Sequence, residues 1–162
     1  SLFQEITKYY LKGDFDLNSE ILVAKDVVGS KHSANDLHYD VLKTFKFFLY
    51  LTDTTKENGA FICVPTTHKK TAEYRKNKGD LICYENRAIS RELDTQEFPP
   101  EVSIEGKAGT LIIFDTDVWH RGGKVSFGER RVMRGHTRLK QKPSKPLDKK
   151  NSFFANLLKK IR

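Results

Sequence analysis

The sequence predicts a mainly β protein of the sandwich or jelly-roll class. Roughly seven short apolar or alternating segments are separated by turn-forming residues, as in an all-β domain. Helical periodicity is confined to three short stretches, near residues 2–11, 69–77 and 151–161. A chain of 162 residues fits one domain, and its 11 Phe and 6 Tyr residues would fill much of the core.

The predicted strands are apolar runs that end at glycine, proline or another turn-forming residue. These segments are 21–29, 37–53, 59–65, 102–115, 118–123 and 128–140. The segment 102–115 is expected to form a hairpin around Gly106 and Gly109 that leads into a buried strand, LIIF. Residues 80–100 end in a Pro-Pro pair and are expected to form an insertion between strands.

Short helices are expected around this β core. Residues 2–11 should form one or two helical turns, and KKTAEYRKNKG at 69–79 an exposed helix. In the tail, large apolar residues recur at helical spacing: Phe153, Phe154, Leu157, Leu158 and Ile161. We therefore expect a β domain at 1–140, followed at 141–162 by a basic linker and an amphipathic helix packed on the same domain.

The composition argues against several classes of protein. No stretch approaches the roughly 20 apolar residues that span a bilayer. The residues from Ser1 onward show no charged-then-apolar pattern, so a secretory leader is not expected. Cys63 and Cys83 form no Cys-x-x-Cys pair, which argues against a zinc ribbon and against a disulfide scaffold. A reducing compartment, the cytoplasm, is therefore expected.

The formal net charge of +8 raises the question of a nucleic-acid partner. Lys and Arg concentrate at 68–78 and 138–162, in segments expected to be peripheral, so a generally solvated basic surface is favoured. A β domain that binds nucleic acid through its basic tail and exposed aromatic residues stays an alternative. The positive charge also suits an anionic small-molecule substrate.

The tripeptide His38-Tyr39-Asp40 is the first candidate for chemistry. In an extended chain alternate side chains share a face, so His38 and Asp40 point the same way. With one more imidazole nitrogen they would complete the 2-His-1-carboxylate triad of non-haem iron(II) oxygenases. His120 follows the apolar run LIIFD and is the best placed third ligand. Taken singly, the tripeptide also suits a surface turn, and His120 a hydrogen-bonded core histidine.

A cluster of arginines follows His120. A dicarboxylate bound inside a partly apolar barrel needs a cation, and the planar guanidinium offers two parallel hydrogen bonds without losing its charge. Arg131 lies eleven residues after His120, with Arg130 and Arg134 nearby. Arg130 and Arg131 face opposite ways on a strand, so only one of them can serve. Any single arginine here could equally face solvent.

Together these segments resemble the phytanoyl-CoA dioxygenase family of 2-oxoglutarate oxygenases. The resemblance lies in LHYD, FKFFLYLTDTTKENGAFICVPTTHK, GTLIIFDTDVWHRGG and GERR, within residues 20–138. The family shows a His-x-Asp, a strand ending in an Asn-Gly turn, a distal His and an Arg about eleven residues later. This chain departs from the pattern in VPTTH at 64–68, with Thr where Gly is usual, and at Gly122, where several relatives carry Ser.

The resemblance implies a double-stranded β-helix (jelly roll, cupin-like) with a few peripheral helices. It implies that the catalytic iron(II) is held by His38, Asp40 and His120. It makes Arg131 the salt-bridge partner of the C5 carboxylate of 2-oxoglutarate and places Phe48, with Tyr50, beside that cosubstrate.

The implied activity is that of an iron(II)- and 2-oxoglutarate-dependent dioxygenase. Such an enzyme uses dioxygen to hydroxylate a small-molecule substrate and releases succinate and CO2. The carboxylate of Asp40 favours hydroxylation, because halogenases of this fold lack it so that chloride can bind. The alternative is a catalytically vestigial, cupin-like binding module for a sugar, lipid or other small ligand. Members usually carry an N-terminal helical region, so a chain with 37 residues before His38 is either a minimal member or a truncated one.

Overall fold

The computed structural model describes residues 2–12, 15–17, 20–30, 35–40, 42–78 and 99–139. Two helices lie in these ranges, α1 (Leu2–Leu11) and α2 (Thr67–Lys78). The strands are β1 (Phe15–Leu17), β2 (Leu22–Val27), β3 (Phe45–Tyr50), β4 (Phe61–Val64), β5 (Val102–Ile104), β6 (Leu111–Asp115), β7 (Trp119–Gly122) and β8 (Glu129–Leu139). The predicted strand 37–53 is shorter in the structure, because only 45–50 joins a sheet as a full strand.

The strands form two antiparallel sheets. One has the order β1-β8-β3-β6, with β2 also paired to β8, and the other has the order β5-β4-β7. Their inner faces meet in an apolar cluster to which β3, β6 and β8 contribute Tyr50, Phe114 and Val132 and to which β4 contributes Phe61. The mainly β, double-stranded β-helix fold is therefore confirmed.

The aromatic run of β3 is explained by burial on both of its faces. On the face turned away from the other sheet, α1 covers the strand. The ring centroid of Phe3 lies 4.4 Å from that of Phe47, and that of Tyr10 lies 5.1 Å from that of Phe45. A strand covered on both sides needs large side chains at successive positions, so strict alternation is lost.

The helix α2 docks on β7 through polar side chains. Thr67, Thr71 and Arg75 recur every four residues, and all three are buried. The backbone N–H of Trp119 donates to Thr67 Oγ1 over 2.9 Å, and its indole Nε1 donates to Thr71 Oγ1 over 3.1 Å. The helix itself was correctly predicted, but the prediction that it is exposed was wrong for this face. Its buried stripe is polar, so hydrophobic periodicity could not reveal it.

Thr66 is held in the left-handed backbone region, with a φ of 69°. It lies in the VPTTH segment, where the resembling family usually has Gly. A branched side chain in this conformation costs about 1–2 kcal/mol, which glycine avoids. We therefore expect Thr66→Gly to stabilise the protein by about 0.5–1 kcal/mol after the entropy of the unfolded glycine is counted. Thr55→Gly, at an exposed position with an ordinary φ, is the control and should destabilise in chemical denaturation. Equal destabilisation by both variants would contradict the inference that the backbone at Thr66 is strained.

Some expectations fall on parts of the chain that the structure does not describe. Most of the predicted insertion at 80–100 lies outside the described residues, as do the C-terminal helix and the division into 1–140 and 141–162. Among the described helices, none is both long and apolar enough to cross a bilayer.

Candidate metal centre

The backbone brings the two predicted histidines side by side. His38 and His120 form an antiparallel β-bridge, in which the N–H of His38 donates to the carbonyl of His120 over 3.0 Å. The N–H of His120 returns a bond of 2.8 Å to the carbonyl of His38. Two residues later the N–H of Asp40 donates to the carbonyl of Thr116 over 3.1 Å, which ties this segment to the end of β6. These bonds hold the extended chain that puts His38 and Asp40 on one face.

Three ligand atoms converge at this bridge. Asp40 Oδ1 lies 3.8 Å from His38 Nε2 and 3.8 Å from His120 Nε2. Within the part of the chain that the structure describes, His38, Asp40 and His120 are the one group whose donor atoms could share a metal ion, all lying within 4.8 Å of one another. Two nitrogens and one carboxylate oxygen are the donors of the iron(II) facial triad, so the residues fit such an ion.

Both imidazoles present the correct nitrogen. His38 Nδ1 lies 2.7 Å from the carbonyl oxygen of Asp36, and His120 Nδ1 lies 2.7 Å from that of Val118. A carbonyl can only accept, so in the neutral form of each ring Nδ1 carries the proton and Nε2 offers its lone pair. Hydrogen bonds of this kind also fix the ring orientation of metal-ligating histidines.

His120 is neutral at physiological pH. Burial is the main cause that lowers its pKa, to about 4, and the nearby Asp40 carboxylate only partly opposes this. The ring is enclosed by aromatic residues: its centroid lies 4.9 Å from that of Phe114 and 5.8 Å from that of Phe61. An apolar wall therefore keeps the imidazole ready to bind a metal without first losing a proton.

Two basic residues that the sequence did not point to hold Asp40. Lys46 Nζ lies 2.5 Å from Asp40 Oδ2, so Oδ1 alone faces the histidines. Arg75 Nη2 donates to the backbone carbonyl of Asp40 over 2.5 Å, and its Nε donates to the buried Asp117 over 2.8 Å. A lysine inside an aromatic strand was a usable signal for Lys46, because it shares the inward face of β3 with Phe48. Nothing in the polar sequence of α2 singled out Arg75.

Arg131 is not brought to the metal centre. Its side chain is 51% exposed and its Nε lies 2.8 Å from Glu129 Oε1 on the outer face of β8. The preceding residue, Arg130, is buried on the inner face, where its Nε and Nη2 donate to Asp26 Oδ2 over 3.0 and 2.5 Å. Its Nη1 donates to the carbonyl of Gly59. The structure therefore puts Arg130, not Arg131, inside the barrel.

Phe48 and Tyr50 both lie on the inner face of β3, but they differ in what they can do. The Phe48 ring packs edge-on against Phe61 and Phe114, at centroid distances of 5.5 and 5.3 Å. Since these two rings also contact His120, Phe48 belongs to the wall around the metal centre.

The Tyr50 hydroxyl donates to the carbonyl of Ile104 over 2.7 Å and accepts from the N–H of Phe61 over 2.8 Å. It links the two sheets.

Tyr50→Phe is expected to lower the stability without weakening metal binding. Tyr50 is fully buried, and the change removes its hydrogen bonds to the carbonyl of Ile104, which is part-buried, and to the buried N–H of Phe61. An unsatisfied buried polar group costs about 1–3 kcal/mol. Denaturant unfolding should show this loss, whereas anaerobic iron(II) titration should match the wild type. A large loss of metal affinity at unchanged stability would mean that Tyr50 serves the site directly.

The comparisons with known proteins concern the family and the fold. The model of the phytanoyl-CoA dioxygenase (PhyH) family matches residues 32–132, a range that contains all three candidate ligands. No curated protein matches the chain in sequence.

Several solved structures share the fold. AviO1 from Streptomyces viridochromogenes Tue57 is 15% identical over 89% of this chain and 58% of its own, with a TM-score of 0.55. SnoN, a non-haem α-ketoglutarate-dependent epimerase from nogalamycin biosynthesis, is 15% identical over 90% of this chain and 61% of its own, with a TM-score of 0.56. EctD from S. alaskensis is 14% identical over 85% and 51%, with a TM-score of 0.52. The chain thus spans less than two thirds of the length of each of these proteins.

Proposed function

Because the chain belongs to the phytanoyl-CoA dioxygenase (PhyH) family, we propose that it is an iron(II)- and 2-oxoglutarate-dependent dioxygenase. The observation that carries this proposal is the convergence of His38 Nε2, His120 Nε2 and Asp40 Oδ1. Three protein ligands would leave room on an iron(II) ion for a chelating cosubstrate and dioxygen.

The iron, when bound, supplies the oxidative decarboxylation of 2-oxoglutarate by dioxygen, in which one oxygen atom enters succinate, CO2 leaves and the other oxygen atom is available to the substrate. The chain supplies position and shelter. His38 and Asp40 hold their places through the bridge to His120 and the bond to Thr116. Phe61 and Phe114 exclude water on the His120 side.

Arg130 is proposed to bind the C5 carboxylate of the cosubstrate, in place of Arg131. It is the buried, inward-facing member of the pair, and a guanidinium carries five N–H donors. Toward described residues it uses three of them, two on Asp26 and one on Gly59. Two donors thus remain for a second carboxylate. Asp26 would orient the guanidinium and partly neutralise its positive charge.

Hydroxylation of a small molecule is the reaction we propose. Asp40 would supply the carboxylate ligand that a halogenase lacks, so a hydroxyl group is the expected product. The fold alone does not decide this, because the similar structures include an epimerase. Removal of a hydrogen atom from a C–H bond would require that the substrate lie close to the three ligand atoms.

The test is anaerobic loading with iron(II), followed by air and 2-oxoglutarate labelled at C1. We expect release of labelled CO2 and formation of succinate without added substrate, at a low uncoupled rate. The His120→Ala protein should show neither. Metal binding without succinate formation would reject the enzyme and support the alternative, a cupin-like module that binds a sugar, lipid or other small ligand.

A further inference from the structure

Arg134 faces the inside of the barrel at its open end. In the antiparallel pairing of β8 and β3, Arg134 stands opposite Phe48, and His136 stands opposite Lys46. Residues that stand opposite each other in such a ladder share a face. Lys46 reaches Asp40, so this face is the one that carries the metal centre. Arg134 is exposed, however, as is Leu22, its partner on β2. The interior is therefore open to solvent at this position.

Arg134 differs from the other arginines with described side chains in having no acidic partner among the described residues. The structure describes five arginine side chains in full, and four of them form an ion pair with a carboxylate. These pairs are Arg75–Asp117, Arg121–Glu101, Arg130–Asp26 and Arg131–Glu129. Among the described side chains, no carboxylate lies within ion-pairing distance of Arg134. An inward-facing guanidinium without a counter-charge is a natural binding group for a carboxylate, sulfate or phosphate.

The position of Arg134 separates it from the proposed cosubstrate anchor. Arg130 and Arg134 point to the same side of β8 but lie four residues apart, about 13 Å along an extended strand. Arg130 is buried at one end of the interior. Arg134 lies beside Phe48, whose ring contacts Phe114, which in turn contacts His120. Of these two arginines, Arg134 is thus the nearer to the metal centre, on its solvent side.

We propose that Arg134 binds an anionic group of the organic substrate at the mouth of the active site. This inference rests on the proposed dioxygenase function and names the class of substrate, an organic anion. The planar guanidinium donates two parallel hydrogen bonds to the oxygens of the anion. Phe48, directly opposite, offers an apolar surface to the carbon atoms next to it. Lys46 stays on Asp40 and adds positive charge nearby.

The test uses inorganic phosphate, sulfate and acetate as probes of the 15N-labelled protein. The protein is loaded with zinc(II) and 2-oxoglutarate, so that the metal and Arg130 are already engaged. Arg134→Gln is compared with Arg131→Gln, which removes the same charge from an exposed position on the opposite face of the same strand. We expect saturable amide shifts at residues 47–49 and 133–135 in the wild type and in R131Q. Apparent affinity should fall at least tenfold in R134Q, and the probe that binds most tightly identifies the anionic group.

Two outcomes overturn the proposal. Equal binding by R134Q and the wild type, or shifts spread over the lysine-rich surface, would show that Arg134 forms no anion site. Loss of 2-oxoglutarate binding in R134Q, with R131Q unaffected, would make Arg134 the cosubstrate anchor instead. Failure of the dioxygenase function itself looks different. All three proteins would then fail to bind 2-oxoglutarate, and phosphate shifts at Arg134 in the metal-free protein would still decide whether the anion site exists.

Discussion

The Asp40→Ala protein is expected to lose tight iron(II) binding and all turnover of 2-oxoglutarate while it keeps its fold. Asp40 is the only anionic donor of the three, and its removal leaves Lys46 beside the metal position without a counter-charge. Loss of a residue that only orients a ligand costs 10–100-fold in metal affinity, so loss of the ligand itself should exceed about 100-fold. The lost ion pair with Lys46 is partly exposed and should change stability by no more than about 1 kcal/mol.

Anaerobic titration with iron(II) measures the affinity, and circular dichroism with thermal unfolding checks the fold. Asp53→Ala is the matched control, because Asp53 pairs with Lys107 at the surface and should leave metal binding unchanged. Succinate formation by D40A at the wild-type rate would mean that another carboxylate holds the metal. Asp115 and Asp117 would then be the next to replace, although Lys43 and Arg75 already engage them.

The convergence of the triad was predictable because each step uses a short-range rule. Alternation along an extended chain aligns His38 with Asp40, and an apolar run followed by a histidine indicates a strand that delivers the third ligand. The β-bridge that joins His38 to His120 could not be predicted by any such short-range rule. That pairing depends on how two distant segments meet, so it follows from the packed fold and not from either segment alone.

For the arginine that binds the cosubstrate, the count of residues from His120 and the register of β8 select different side chains. A distance of eleven residues from His120 selects Arg131, but a shift of one residue along a strand moves a side chain to the opposite face. The turn between β7 and β8 can change its length by one residue at little cost in free energy. A cosubstrate bound inside the barrel, in contrast, requires an arginine side chain on the inner face. In the structure Arg130 pairs with Asp26 inside and Arg131 with Glu129 outside, and this register is the basis on which Arg130 is proposed as the anchor.

The buried polar contacts through which α2 supports the site also could not be predicted from the sequence, but for a different reason. Thr67, Thr71 and Arg75 form a buried polar stripe on α2, and polar stripes are normally taken as solvent-facing. Their burial becomes favourable only when Trp119, Asp117 and the carbonyl of Asp40 satisfy them. Such partners lie far away in the sequence, so pattern alone gives no sign of them.

Replacement of Arg130 is expected to have the second large effect, on both stability and cosubstrate binding. Arg130→Met breaks the ion pair with Asp26, which is only 6% exposed. Breaking a buried pair on one side costs about 3–5 kcal/mol, because the remaining charge loses this counter-charge. The single variant could thus lose its fold, and the double variant Asp26→Asn/Arg130→Met removes that charge. Its unfolding free energy should lie closer to that of the wild type.

The double variant also isolates the role of Arg130 in cosubstrate binding. Loss of a charge-assisted contact worth about 1.5–3 kcal/mol should raise the KM for 2-oxoglutarate roughly 10- to 100-fold, while iron(II) affinity stays near the wild-type value. Arg131→Met is the matched control. Its exposed pair with Glu129 contributes at most about 1 kcal/mol, and it should change neither stability nor KM appreciably. If R131M raises the KM and the folded double variant does not, the arginine eleven residues after His120 is the anchor after all. In that case the face of β8 on which an arginine lies would not predict whether it binds the cosubstrate.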